Sequence, residues 1–214
     1  MSVTAKICGL STAHAVAAAV AGGARYLGFV FYPPSPRAVD AATAARLAAA
    51  APAGTLRVGL FVDAEDAAIA AVLDQAPLDL LQFHGGESPE RVDQARRRFA
   101  RPIIKAVAIA GPADLAAAER YEIVADLLLF DAKPPRRPRV LPGGNGLAFD
   151  WQLVAGRSWR VPWILSGGLT PELLAEAVQI SGAEIVDVSS GVESRPGRKD
   201  PDKIRAFLAA AHAL

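Results

Sequence analysis

The chain has a single cysteine, Cys8. It cannot form an internal disulfide, and a lone thiol suits a reducing compartment, so a cytoplasmic location is expected. An excess of either charge is also missing. Lys and Arg number 23 against 22 Asp and Glu, which leaves nothing to neutralise a phosphate backbone and excludes nucleic acid as an expected partner. No apolar run approaches the roughly 20 residues that a bilayer-spanning helix needs, so no membrane association is expected. No basic leader followed by an apolar core opens the sequence, so no signal peptide is expected either. Nor does a low-complexity linker or a break in composition divide it. With 214 residues and 52% hydrophobic content, there is enough for one large core, and residues 1–214 read as one domain.

What is present is a repeated alternation of strand and helix patterns. Short apolar runs predict strands ending near Cys8, Phe31, Val62, Phe83, Val107, Asp131, Leu165 and Val188. Alanine-rich stretches with helical spacing lie between them. Their starts are marked by Ser88-Pro89, Gly111-Pro112, Thr170-Pro171 and Asp200-Pro201, because proline at the first helical position loses no bond it needed. Asp63 reads as the N-cap of the helix after strand three. Eight near-continuous apolar strands alternating with eight helical stretches predict an α/β fold with a closed parallel sheet, a (β/α)8 barrel; an open doubly wound sheet is the alternative. The connection from Ala132 to Leu147, rich in Pro, Arg and Gly, is longer than most and reads as an active-site lid.

In such a barrel the chemistry lies at the C-terminal strand ends. Gly167 and Gly168 follow strand seven, and Ser189, Ser190 and Gly191 follow strand eight. Glycine lets backbone amides approach an anion, and this pair of loops is the usual phosphate site of the fold. Cys8 and Asp131 end strands one and six, so they face each other across the mouth and can supply a base and an acid to one substrate. Each also has a plainer reading, Cys8 as an apolar filler and Asp131 as a cap. Lys6 shares the face of Cys8, and a positive charge there lowers a thiol's pKa. His84 ends strand four and lines the mouth or caps a turn. Asp187 lies near the substrate or braces the barrel floor. His14, His84 and His212 are far apart in sequence, with no cysteine or carboxylate at ligand spacing, so no metal site is expected.

Taken together, Lys6–Gly9, Leu27–Phe31 with Ser35–Arg37, Leu81–Gly85, Phe130–Ala132, Gly143–Gly146, Phe149–Trp151, Leu165–Leu169, Asp187–Glu193 and Pro196–Asp200 resemble the phosphoribosylanthranilate isomerases. The resemblance runs through the whole chain in order. It implies a (β/α)8 TIM barrel of the ribulose-phosphate-binding type and an intramolecular oxidoreductase, an aldose–ketose isomerase of tryptophan biosynthesis. The implied reaction is a cofactor-free Amadori rearrangement. N-(5'-phosphoribosyl)anthranilate, a phosphorylated sugar carrying anthranilate, would become 1-(2-carboxyphenylamino)-1-deoxyribulose 5-phosphate. By the same resemblance Asp131 would be the general acid and Cys8 the general base. Arg37 would hold the anthranilate carboxylate, and the glycines and serines after strands seven and eight would hold the phosphate.

Leu173 departs from the family, which commonly shows Asn there, and predicts an altered helix start without loss of catalysis. Residues 134–139 make a longer Pro- and Arg-rich stretch than usual, so lid closure or product release is expected to differ. A sister enzyme of histidine biosynthesis would use a pair of aspartates, which Cys8 disfavours. Indoleglycerol-phosphate synthase needs an early Lys and Glu set that is absent. A sugar-phosphate-binding scaffold would have no need of Cys8 and Asp131. Arg96–Arg98 and Arg136-Arg137 read as solvated faces rather than partner surfaces, and a monomer is expected, with a dimer as the alternative.

Overall fold

The computed structural model describes residues 3–135 and 141–214. Eight parallel strands close into a barrel in sequence order: β1 Thr4–Cys8, β2 Tyr26–Val30, β3 Leu56–Phe61, β4 Leu80–Phe83, β5 Ile103–Ile109, β6 Leu127–Ala132, β7 Trp163–Leu165 and β8 Ile185–Val188. β8 returns to β1 in the register Lys6↔Asp187. Around the barrel run α1 Ala13–Ala21, α2 Ala41–Ala48, α3 Asp66–Leu73, α4 Pro89–Phe99, α5 Pro112–Ala118, α6 Leu174–Ser181 and α7 Pro201–His212. A two-stranded hairpin, β9 Glu193–Arg195 and β10 Arg198–Lys199, follows β8. Among the described residues no helix is long and apolar enough to cross a membrane.

The period of two along each strand sorts its side chains. In β4, Leu81 and Phe83 pack outward with the helices while Leu80 packs inward. The same alternation turns Gln82 and His84 inward. Tyr26, Val58, Leu80, Ile104, Leu129 and Ile164 fill the lower barrel. Cys8, Val30 and Leu60 form a small apolar group near the mouth. Polar residues sit between and beside these apolar groups, so the interior becomes chemically useful toward one end.

Helix starts follow the sequence signals where a side chain can reach the free amides. Thr12, Asp40, Ser88 and Asp200 each accept from backbone N–H groups of the first turn. Three expectations are corrected. Asp63 does not cap α3, whose N-cap is Glu65. Instead Asp63 adopts φ 47°, and its Oδ1 accepts from Gly86 N at 2.7 Å, tying the turn after β3 to the turn after β4. Pro171 does not open α6, which starts at Leu174 after a turn, with Leu173 at its N-cap making no side-chain bond. Between β6 and β7 the described residues hold a 3-10 turn, Trp151–Leu153, in place of an eighth α-helix. Its start is fixed by Asp150 Oδ1, which accepts from Gln152 N at 3.0 Å. Arg96, Arg97 and Arg98 pair with Asp126, Asp93 and Asp66, an ion-paired solvent face. Arg136, Arg137 and Arg139 of the lid lie outside the described residues.

Candidate active site

The catalytic, substrate-binding and phosphate-binding residues expected from the sequence meet in one place. Cys8, Arg37, His84, Asp131, Gly167, Gly168, Asp187, Ser189, Ser190 and Gly191 line a single open cleft of about 660 Å³ at the C-terminal mouth of the barrel. Tyr32, Ser35 and residues 141–146 of the long connection complete its walls.

Cys8 is buried at the end of β1, and Lys6, two residues earlier, has no exposed surface at all. The Lys6 ammonium lies 2.9 Å from Asp187 Oδ1. Asp187 Oδ2 accepts from Ser166 Oγ at 3.2 Å, so both oxygens of this carboxylate are engaged by the barrel itself. Burial disfavours a charged Lys6, but the Asp187 carboxylate and the neighbouring Cys8 together outweigh it and raise the Lys6 pKa. Cys8 goes the other way from the sequence expectation. Burial pushes its thiol pKa up, and the opposing pull of Lys6 does not fully reverse this. Gly28 on β2 makes room for the pair, since a Cβ there would lie 3.0 Å from Cys8 Sγ and 3.3 Å from Lys6 Nζ.

Across the mouth, Asp131 Oδ1 accepts from Ala132 N at 2.8 Å, and Oδ2 lies 3.3 Å from His84 Nε2. The other ring nitrogen, Nδ1, lies 2.9 Å from the amide nitrogen of Gln82. Backbone forms the roof. A Cβ on Gly143 would sit 2.5 Å from His84 Nε2 and 2.9 Å from Asp131 Oδ2, and one on Gly144 would sit 2.6 Å from Arg37 Nη1. Only glycines let the connection approach these groups so closely.

Arg37 is not a free fork. Its Nε donates to Glu193 Oε1 at 2.7 Å and its Nη2 to Glu193 Oε2 at 2.9 Å, with a second Nη2 contact to Gly144 O at 3.1 Å. The same carboxylate accepts from Lys199 Nζ at 2.8 Å. Lys199 also donates to the carbonyl and hydroxyl oxygens of Ser189, at 2.8 and 3.1 Å. Burial favours a protonated Glu193, but Arg37 and Lys199 overcome it and hold its pKa below the usual range. Burial pulls the Lys199 pKa down. The hairpin thus joins the Arg37 side of the cleft to the loop after β8. That loop also meets the turn after β7: Gly191 packs on Leu169 O with no space for a side chain.

Gln82, Glu193 and Lys199 were not identified as functional from the sequence. Arg37 and Glu193 stand 156 positions apart, and no local spacing pairs them. Gln82 does carry a signal, a polar residue inside an otherwise apolar strand.

A closed parallel barrel whose ionisable interior residues gather at one mouth, beneath two facing glycine turns, defines a (β/α)8-barrel enzyme. The family model described as N-(5'phosphoribosyl)anthranilate (PRA) isomerase matches residues 5–210. An N-(5'-phosphoribosyl)anthranilate isomerase of Paracoccus denitrificans is 58% identical over 213 residues, covering 100% of this chain and 99% of that one. The crystal structure of phosphoribosyl anthranilate isomerase from Thermotoga maritima superposes with a TM-score of 0.88 at 36% identity, covering 99% and 100% of the two chains. A structure of such an enzyme in complex with reduced 1-(o-carboxyphenylamino)-1-deoxyribulose 5-phosphate gives 0.85 at 34% identity over the same shares. The chain belongs to the N-(5'-phosphoribosyl)anthranilate isomerase family.

Proposed function

We propose that residues 1–214 act as one catalytic barrel that isomerises N-(5'-phosphoribosyl)anthranilate to 1-(2-carboxyphenylamino)-1-deoxyribulose 5-phosphate, the third step from chorismate to tryptophan, in the cytoplasm. Family membership over nearly the whole chain supports the substrate. The observation that carries the mechanism is that Cys8 and Asp131, from strands on opposite sides of the barrel, line one cleft.

Asp131, as general acid, gives a proton to the ring oxygen of the sugar. The C1–O bond breaks and the anthranilate nitrogen's lone pair forms a protonated Schiff base at C1. That cation acidifies the C2 hydrogen, which the Cys8 thiolate removes, giving an enolamine. Return of a proton to C1 and loss of the C2 hydroxyl proton complete the ketone, so no redox partner, metal or cofactor enters. The raised thiol pKa makes Cys8 a strong base once ionised, and Lys6 is the cation beside which the thiolate forms. Arg37, held on one edge by Glu193, offers Nη1 to the anthranilate carboxylate, and His84 and Asp187 complete the substrate surround. Backbone amides of Gly167, Gly168, Ser189, Ser190 and Gly191 receive the phosphate. A monomer suffices: among the described residues the exposed large apolar side chains Ile123, Leu147 and Leu173 fall in three separate connections and Leu214 lies after α7, so they form no run along the chain.

The test follows the fluorescence decay of phosphoribosylanthranilate generated in situ. Decay proportional to enzyme and unaffected by a chelator is expected. Cys8→Ser and Asp131→Asn should each lose roughly 10²–10⁴-fold in kcat while keeping the native melting profile. A near-native rate in either variant removes that residue from its role.

A further inference from the structure

The floor beneath Asp131 holds a side chain that neither the family resemblance nor the reaction scheme assigns. Gln82, on β4, has no exposed surface. Its amide nitrogen lies 2.9 Å from His84 Nδ1, and its Oε1 has no hydrogen-bond partner among the described residues. His84 Nε2 in turn lies 3.3 Å from Asp131 Oδ2. Three side chains therefore run in a line from the barrel interior to the acid.

An amide has a donor end and an acceptor end, and the ring's tautomer follows whichever faces Nδ1. A bare carbonyl oxygen is tolerated inside a protein more readily than a bare N–H group, which favours the nitrogen end toward the ring. The Nδ1 lone pair then accepts from the amide, which places the ring hydrogen on Nε2, the nitrogen 3.3 Å from Asp131 Oδ2. That nitrogen can only donate to the acid and cannot accept from it.

We propose that Gln82 is a positioning residue for the acid step, orienting His84 as the Nε2–H tautomer that donates to Asp131 Oδ2. The proposal rests on the reading of Asp131 as the acid and explains how it is aimed. Because His84 donates, the acidic hydrogen of Asp131 is left free to face the cleft. The carboxylate that remains after transfer is met at once by an N–H group. Asp131 Oδ1 is already committed to Ala132 N, so Oδ2 is the oxygen this donor serves. Gly143, lying directly over the His84–Asp131 contact, shelters it from water.

The chain has three histidines, and His14 and His212 lie in α1 and α7, so ring nitrogen-15 spectra can be assigned by loss of signal in His84→Gln. In the native protein near neutral pH, His84 is expected to show a protonated Nε2 and a bare Nδ1. Gln82→Glu places an acceptor at Nδ1 and should move the proton there. The same variant, and Gln82→Met, should lower kcat about tenfold, part of what an acid contributes, with little change in KM. A native His84 protonated at Nδ1 overturns the proposal, as does a tautomer unchanged in Gln82→Glu or a native kcat in both variants. Should the variants fail to fold, the native spectrum decides alone. Failure of the isomerase reading shows separately, as an inactive native protein whose His84 spectrum is read without substrate.

Discussion

Glu193→Gln tests whether the hairpin carboxylate is what holds two cations beside the cleft. Four hydrogen bonds converge on it: from Arg37 Nε at 2.7 Å, Arg37 Nη2 at 2.9 Å, Lys199 Nζ at 2.8 Å and Gly197 N at 3.2 Å. Glutamine keeps the shape but not the charge, and its NH2 end must face a donor. Removing one partner of a buried ion pair costs about 3–5 kcal/mol, because the other charge remains buried and unmatched. For a chain of this size, roughly 2–4 °C of melting temperature accompanies each kcal/mol, so a fall of about 6–20 °C is expected at pH 7. The pH dependence has a definite sign. The folded pKa of Glu193 lies below its usual value, so its stabilisation is fully present above the unfolded value of about 4.3 and is lost as pH falls through the folded one. Calorimetry at neutral and acid pH should therefore show a wide gap between native and variant that closes below about pH 4. A gap at pH 7 under about 2 °C, or one that persists in acid, refutes the argument.

Cys8 is the only cysteine, so alkylation rate against pH reports that thiol alone. Lys6→Met should raise its midpoint further, because a cation is lost and Asp187 is left unpaired; a fixed or lowered midpoint contradicts this. With the thiol pKa held up by burial, kcat/KM of the native enzyme is expected to go on rising past about pH 8.5, the ordinary thiol value, and a plateau below it would count against Cys8 as the base. Gly143→Ala would drive a methyl group between His84 and Asp131; kcat should fall by up to about 10²-fold with stability little changed, whereas a native kcat would mean that the turn moves aside freely.

The barrel and most of its strand ends were legible in the sequence, because alternation of short apolar runs with alanine-rich stretches is a local signal repeated eight times. The positions of Cys8 and Asp131 followed from that frame alone, since the ends of strands one and six must share a mouth. Failures came where a side chain had two local uses. Asp63 has the form of an N-cap, yet its carboxylate serves Gly86 on the next connection, and nothing nearby in sequence announces that choice. Trp151–Leu153 sits where a helix was expected, but it forms a single 3-10 turn capped by Asp150. The Cys8 environment was half legible: Lys6 could be placed on its face by the period of two, but the depth of burial that overrides Lys6 depends on the whole ring.

The Lys6–Asp187 pair spans 181 positions and closes the ring between β1 and β8. That fact has a consequence in time. A ribosome delivering about 5–20 residues per second needs roughly 10–35 s between these two residues. Throughout that interval Lys6 has no counter-charge with which to enter the interior, and a lone ammonium resists burial. The first strand therefore waits, its cysteine outside any formed cleft, until the eighth strand arrives. Arrival of the eighth strand and enclosure of Cys8 become one event, and a half-made barrel has no cleft around that thiol.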